Sequence, residues 1–392
     1  MRYLILGGCG AIGSEVVEDL VGTANFDALT IADVDGERLT KAARRYLDSR
    51  VTTMAVSPVI DAELSKLMKR HDVIVNCTPG DDNVSILNAA ITGGVRYMDI
   101  TGSMLAEERL ALDSKAKEAG VMAVIAMGAS PGLTNAAAAH GAQQLDRVDD
   151  ITIEYASLRP MNPSAGLLDT AIRQYTPYVR CPVFDNGKLR YEPTFSGAHE
   201  VEFPPPIGRQ TLYYTPHSEV VTLSRYIPNV KRVRVFGTYH PTVMAALRVF
   251  RDHGLMESQP ISINGAKTNA REILTRVLSG RDIPFPGPTH YCLRIAVSGE
   301  KDGAEVSHTY TLTFDEHGPR AGQLPQIWMT AVGASVGAQI LAQCKIPMPG
   351  VMAPEACIDP DAYLQGAAAR DIIIDWTTHA VRPVRAAAKA CI

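Results

Sequence analysis

Two groups of residues in this chain have the types and spacing to do chemistry. One is the stretch LILGGCGAIGSE, Leu4 to Glu15, where Gly8, Gly10 and Gly13 fall in G-x-G-x-x-G spacing after a short apolar run. Three positions without side chains suggest backbone brought close to something bulky and charged, although an ordinary tight turn shares that pattern. The other group lies mid-chain: YYTPHSEVVTLSRYIP holds Tyr213, Tyr214, His217, Ser218 and Glu219, and TYHP holds Tyr239 and His240. Imidazoles and phenols at element ends can move a proton near neutral pH, and two such clusters in one region strengthen that reading against satisfied structural histidines. Arg180 and Arg159 are the cations considered for a substrate carboxylate, with surface ion pairing as the alternative.

The elements that must position these residues follow from periodicity. YLIL, LTIADV, VTTMAV, DVIVNCTP, RYMDI and VMAVIAM are apolar runs separated by amphipathic helical patterns. Such alternation predicts an α/β, doubly wound parallel sheet with helices on both faces. The glycine loop then follows a strand and opens a helix. There Gly8 allows the turn, Gly10 lets backbone approach a pyrophosphate, Gly13 lets helix and strand pack, and Ala11 and Ile12 lie at the helix amino terminus. Asp33, at the end of the second strand beside Val34, is placed to accept hydrogen bonds from ribose hydroxyls. An acid there, with Asp35 nearby, repels a 2′-phosphate, so NAD is expected in preference to NADP, with Arg38 the opposing feature.

VNCTPG brings Asn76, Thr78 and Pro79 to the carboxyl edge of the sheet, beside the nicotinamide half of such a cofactor. MDITG brings Asp99 and Gly102 to the same edge, Asp99 either as a structural cap or facing the reacting centre. GASPGLTNAAAAHG carries Ser130 in a turn before a helix, a place for a carboxylate or carboxamide or simply a domain-joining elbow.

Beyond about residue 150 the rhythm changes to extended segments joined by turns, with Asn186-Gly187 and Asn264-Gly265 as tight hairpin signals. PTVMAALRVFRDHG and NAREILTRVLSG interrupt them as helices, the second with Asn269 and Glu272 spaced for a capping box. A mainly antiparallel sheet with helices on one face follows. PQIWMTAVGASVGAQILAQC, from Pro325, is a long apolar helix whose Gly333, Ser335 and Gly337 permit close approach to the first domain. The alanine-rich end AAAKACI reads as a tail or short helix.

Composition narrows the partners. The 392 residues are 46% hydrophobic with formal net charge −4, enough for substantial cores and without the basic footprint of a nucleic-acid binder. No apolar run approaches a membrane span of roughly 18 residues, so a cytoplasmic protein with a small-molecule partner is expected. Seven scattered cysteines show no C-x-x-C and no zinc spacing, and no metal is expected.

With these motifs laid out, the chain resembles the saccharopine dehydrogenase-like family, and within it the lysine 6-dehydrogenases. GGCGAIGSEVVEDL, HDVIVNCTPG, GGVRYMDITG, ASPGLTN, DNGKLRYEP, TLSRYIPNVKRV and INGAKTNAREIL carry the resemblance. It implies a Rossmann domain (1–130), an inserted α+β domain for substrate and dimer contacts (131–322), a carboxyl-terminal helical segment returning to the Rossmann domain (323–392), and a homodimer. It also implies that the loop glycines, Asp33, Asn76 and Pro79 hold the cofactor. The chain departs from lysine 6-dehydrogenases at Tyr239-His240-Pro241 and at Pro216 to Glu219, both in the inserted domain.

The expected activity is NAD-dependent oxidation at the carbon–nitrogen bond of an amino acid, foremost deamination of the lysine side-chain amine. His217, Tyr239 and His240 are then base or amine-positioning groups, Glu219 attracts the cationic end and Arg180 the carboxylate, with Asp99 and Ser130 also facing substrate. One alternative is reductive condensation of an amine with an aldehyde or keto acid, as in saccharopine or carboxynorspermidine formation. Another is a non-catalytic NAD-binding sensor.

Overall fold

A computed structural model describes residues 1–57, 60–102, 105–281, 283–315, 317, 320, 322–344 and 348–381. The AAAKACI end lies outside the described residues. Six strands alternate with helices through the first third: β1 (Arg2–Leu6), β2 (Ala28–Asp33), β3 (Val51–Ala55), β4 (Val73–Asn76), β5 (Arg96–Asp99) and β6 (Met122–Val124). All pair in parallel. Their sequences are continuous apolar runs because both faces are covered: Ile5, Val73 and Val75 join one core, and Leu4, Leu6 and Ile74 the other. At about 1.5–3 kcal/mol for each large apolar side chain fully removed from water, burial on both faces holds the sheet in the interior.

The inserted domain contributes β7 (Arg147–Leu158), β8 (Arg180–Asp185), β9 (Lys188–Pro193), β10 (His199–Phe203), β11 (Gly208–Tyr214), β12 (Arg232–Tyr239), the hairpin β13 (Pro260–Ile263) and β14 (Ala266–Asn269), β15 (His290–Lys301) and β16 (Ala304–Phe314). Pairing is antiparallel except between β7 and β12. Both Asn-Gly turns form with positive φ, at Asn186-Gly187 and Asn264-Gly265. Asn269 accepts from Glu272 N at 2.8 Å and caps the helix Ala270–Ser279.

The carboxyl-terminal segment is not helical throughout, in contrast to the helical segment expected over 323–392. After the helix Pro325–Gln343, β17 (Gly350–Met352) joins the parallel sheet beside β6, and β18 (Ile372–Val381) joins the other sheet beside β16. Among the described residues the parallel sheet therefore reads β17-β6-β5-β4-β1-β2-β3. Three residues of β17 are too few for a strand pattern, and β18 is largely exposed and lacks alternation.

The small residues of the long helix serve close packing: a Cβ on Gly333 would lie 2.2 Å from Gly128 O, and one on Gly337 would lie 2.1 Å from Met127 Cε. Polar contacts fix the same segment. Buried Asp19, in the helix Ala11–Thr23, accepts from Arg370 Nε at 2.9 and 2.8 Å and from Ser335 Oγ at 2.6 Å. No helix among the described residues is long and apolar enough to cross a membrane.

Arg370→Ala should strand the Asp19 carboxylate in the core and lower stability by about 3 kcal/mol in urea unfolding. Arg147→Ala, which breaks an exposed pair with Asp149, should leave the midpoint nearly unchanged.

Candidate active site

The parallel sheet changes direction between β1 and β4, and the loops beyond their carboxyl ends meet there: a Cβ on Gly7 would lie 3.1 Å from Cys77 O and 3.2 Å from Thr78 N. The turn is made by Gly7, at φ +70°, and not by Gly8 as the motif suggested. Gly8 instead packs on β2, where a Cβ would meet Ile31 Cγ2 at 2.8 Å. Gly13 is the contact between helix and turn, since its Cβ would stand 2.1 Å from Gly7 O. A Cβ on Gly10 would meet only Gly7 O, at 3.1 Å, leaving its other side open. The helix ladder starts with Ser14 N donating to Gly10 O, so the amides of Ala11, Ile12 and Gly13 precede it and are available to a phosphate. The glycine cradle, these amides and a carboxylate at the end of β2 fit a dinucleotide.

That carboxylate, Asp33, accepts from Cys9 N at 2.9 Å and from Asp35 N at 3.1 Å. It braces the loop while remaining half-buried beside exposed Val34. Asp35 caps the next helix and pairs with Arg38 at 3.2 Å, so the arginine that opposed an NAD preference is engaged by an acid.

Asn76 and Asp99 are organisers and do not present free groups. Asn76 Nδ2 donates to Asn83 Oδ1 at 2.8 Å and Tyr97 Oη at 3.0 Å, while its Oδ1 accepts from Thr78 N and Thr78 Oγ1. It shapes the turn that carries half-buried Thr78 and exposed Pro79. Asp99 is fully buried, ion-paired with Arg109 and bonded by Thr101 N and Ala126 N, which corrects its expected substrate role. Gly102 is a junction. A Cβ there would strike Pro131 Cδ at 2.4 Å, and its carbonyl accepts from Ser218 N at 2.9 Å, drawing the inserted domain onto the first.

At that junction a chain of buried polar groups begins. Ser130 Oγ donates to Glu219 Oε1 at 2.7 Å, Thr134 Oγ1 donates to the same oxygen at 3.0 Å, and His217 Nδ1 lies 3.3 Å from Glu219 Oε2. Gln174 Nε2 stands 3.4 Å from His217 Nε2, and Gln174 Oε1 accepts from Tyr239 Oη at 2.9 Å. The Arg159 guanidinium lies over the Tyr239 ring, 4.8 Å from its centroid. Arg159 donates from Nε to Gln326 Oε1 at 2.6 Å and from Nη1 to Pro160 O at 2.9 Å. Its Nη2, with the hydroxyls of Tyr155 and Tyr175, is buried with no partner at hydrogen-bond geometry among the described residues. No carboxylate pairs with Arg159 among the described residues.

This network assigns proton states. Burial opposes ionisation of Glu219, but His217 and the Ser130 hydroxyl outweigh it and hold the carboxyl below its ordinary range. Burial raises the phenols of Tyr155, Tyr175 and Tyr239, which favours their neutral hydroxyl forms. Because Tyr239 donates to the Gln174 carbonyl, the Gln174 amide faces His217 Nε2. In the neutral imidazole Nε2 is then the acceptor and the ring proton sits on Nδ1, toward Glu219.

Two expected residues stand outside the chain. His240 caps the helix Pro241–Asp252, with Nδ1 2.8 Å from Thr242 Oγ1 and 3.3 Å from Thr242 N. Arg180 is exposed and donates to Pro177 O, close to its own strand. Gln174 was not visible beforehand, since a glutamine in an amphipathic helix, AGLLDTAIRQ, carries no motif.

Comparison with known proteins gives the same picture of the fold. Residues 3–124 match the saccharopine dehydrogenase NADP binding domain, and residues 168–369 match the saccharopine dehydrogenase C-terminal domain. A carboxyaminopropylagmatine dehydrogenase from Synechocystis is 24% identical over 391 residues, covering 93% of this chain and 94% of that protein. A carboxynorspermidine synthase from Vibrio alginolyticus is 24% identical over 342 residues, covering 80% of this chain and 78% of that protein. Among solved structures, saccharopine dehydrogenase (L-Glu forming) from Saccharomyces cerevisiae superposes with TM-score 0.71 at 14% identity, covering 96% of this chain and 99% of that one. The homospermidine synthase of Legionella pneumophila, solved with NAD, gives TM-score 0.66 at 14% identity, covering 100% and 94%.

Substitution in the glycine loop separates packing from ligand approach. Gly13→Ala should lower the thermal midpoint and weaken NADH binding together. Gly10→Ala should keep the midpoint and raise the NADH dissociation constant at least about tenfold in a fluorescence titration.

Proposed function

Since the chain belongs to the saccharopine dehydrogenase family, we propose that it forms or cleaves the carbon–nitrogen bond of a carboxylate-bearing secondary amine, by reductive condensation of an amine with an aldehyde or keto acid or by the reverse oxidation. The observation that carries this reading is Arg159, a buried guanidinium with an unused Nη2 and no acidic partner among the described residues, linked through Tyr239, Gln174 and His217 to the Glu219 carboxylate. Burying a cation without a counter-charge is costly, so a ligand carboxylate is the natural complement. At the other end, Glu219 and His217 suit an ammonium group.

The bound nicotinamide cofactor supplies or accepts the hydride. Within this reading Arg159 orients the carboxylated arm, Glu219 attracts the amine and His217 Nε2 accepts its proton. Ser130 and Thr134 keep Glu219 in place, and the tyrosines line the route with neutral hydroxyls. The names of the two sequence relatives describe amines bearing a carboxylated arm, which moves our reading from lysine deamination to the condensation alternative. Asp33, with Arg38 engaged by Asp35, favours NAD.

The test is loss of reduced-cofactor absorbance with carboxylated aldehydes or keto acids, each paired with diamines, agmatine or lysine. Oxidation of lysine alone is run in parallel. Turnover of an aldehyde and amine pair supports the proposal. Ammonia release from lysine alone would return the lysine reading, and tight cofactor binding without any turnover would favour the sensor. Arg159→Met should raise KM for the carboxylated partner about 100-fold, roughly 2.7 kcal/mol, with kcat changed less. Asp33→Ser should cut the NADH over NADPH preference in kcat/KM by about tenfold or more.

A further inference from the structure

The helix end that holds Glu219 holds a second carboxyl, one with no part in the proposed reaction. Thr134 and Asn135 are consecutive residues of the helix Leu133–Gln143. The Thr134 hydroxyl donates to Glu219 Oε1 at 3.0 Å, and Asn135 Nδ2 donates to Glu355 Oε2 at 2.8 Å. The orientation of that amide is fixed, because Asn135 Oδ1 accepts from Gly132 N at 2.9 Å. Asn135 Nδ2 also reaches Thr222 Oγ1 at 3.2 Å, on the same helix as Glu219 and three residues further on. Glu355 arrives from the carboxyl-terminal segment just after β17, so residues distant in sequence converge on this point.

The surroundings disfavour a charged Glu355. Its Oε1 is buried without a hydrogen-bond partner, and no cation pairs with it among the described residues. The groups facing it are Glu219 and Thr222 from one helix, Tyr226 from the end of that helix, Asn135 from the second, and Cys357 from its own turn; Arg225 and Asp113 lie beyond, around Tyr226. Burial pushes the Glu355 carboxyl up to about 7, Glu219 adding to the rise while Thr222 and Asn135 oppose it. Glu219 is held in the opposite direction. Two carboxyls sharing one environment with their proton affinities driven apart is an arrangement in which one keeps the proton so that the other can stay an anion.

We propose that Glu355 is a proton-holding positioning residue that sets the negative charge behind Glu219 and thereby the grip of the Glu219 and His217 pair on the substrate amine. Neutral, it leaves Glu219 as the single anion at the amine end. Ionised, it adds a second negative charge behind Glu219 and strengthens the attraction for an ammonium. The proposal rests on the reading of Glu219 and His217 as the amine end of the site.

The experiment compares the full-length wild type with Glu355→Gln and Glu355→Asp, reading steady-state kinetics across about pH 5.5 to 8.5 and thermal midpoint across about pH 4 to 8.5. In the wild type and Glu355→Asp, KM for the amine should fall about fivefold as pH rises through the ionisation, with kcat less affected; Glu355→Gln should lack that component. Stability supplies a readout independent of substrate. A carboxyl whose proton affinity is raised by folding contributes stability that is present below its unfolded value and lost as pH rises through its folded value. The wild type should therefore lose midpoint relative to Glu355→Gln between about pH 4.5 and 7 and no further above that. If no amine turns over while this pH-dependent gap stands, the failure belongs to the reaction and the proton on Glu355 is supported. A gap constant with pH, or a Glu355→Gln profile of KM parallel to wild type, overturns the proposal.

Discussion

The buried polar groups where the inserted domain meets the first are arranged around one anion. Glu219 is fully buried, and a carboxylate taken out of water persists only where donors replace the water it has lost. Those donors come from different parts of the chain: Ser130 and Thr134 follow the last of the six early strands, and His217 precedes the helix that carries Glu219 itself. The requirement to satisfy one side chain therefore seats the inserted domain on the elbow of the first. The contact of Gly102 with Pro131 and Ser218 permits that seating, because any side chain at 102 would hold the two surfaces apart.

The carboxyl-terminal segment closes the arrangement from behind. Its long helix lies against residues 127 and 128 at distances only glycines allow, and its ion pair with Asp19 ties it to the helix that opens from the glycine loop. The same segment delivers Gln326 to Arg159 and Glu355 to Asn135. Cofactor cradle, cation end and anion end are thus braced by a single stretch that is remote from all of them in sequence. Its two strands divide between the two sheets, which makes the two-domain description a matter of chain path more than of mechanical independence.

What the sequence made legible was local. Alternating apolar runs located the six early strands, Asn-Gly pairs located hairpins, and the glycine spacing located the cradle, because each depends on residues within a few positions of one another. The motif misplaced the turn by one residue: Gly7 and Gly8 are adjacent glycines, and only the backbone angle tells them apart. His217, Glu219 and Ser130 were singled out for their types, yet their meeting depends on a domain contact that no periodicity encodes. His240 and Arg180 had equal claims by type, and the first caps a helix while the second sits exposed at the start of a strand. Gln174 and Glu355 lay outside any pattern, since what distinguishes them is burial beside a charge, a property of the folded chain alone.

The two ends of the polar chain constrain each other. Among the described residues Arg159 is a buried cation with a spare donor, and Glu219 is a buried anion with one oxygen lacking a hydrogen bond of good geometry, so each end is electrostatically incomplete in its own way. A ligand with only an amine satisfies Glu219 but leaves Arg159 uncompensated, and a simple carboxylate does the reverse. A molecule bearing both completes both at once, and discrimination between it and a one-ended analogue then reflects the cost of an unpaired buried charge, several kcal/mol, and not the modest gain of one added hydrogen bond. Under the proposed reaction, selectivity would reside in the charged termini of the ligand.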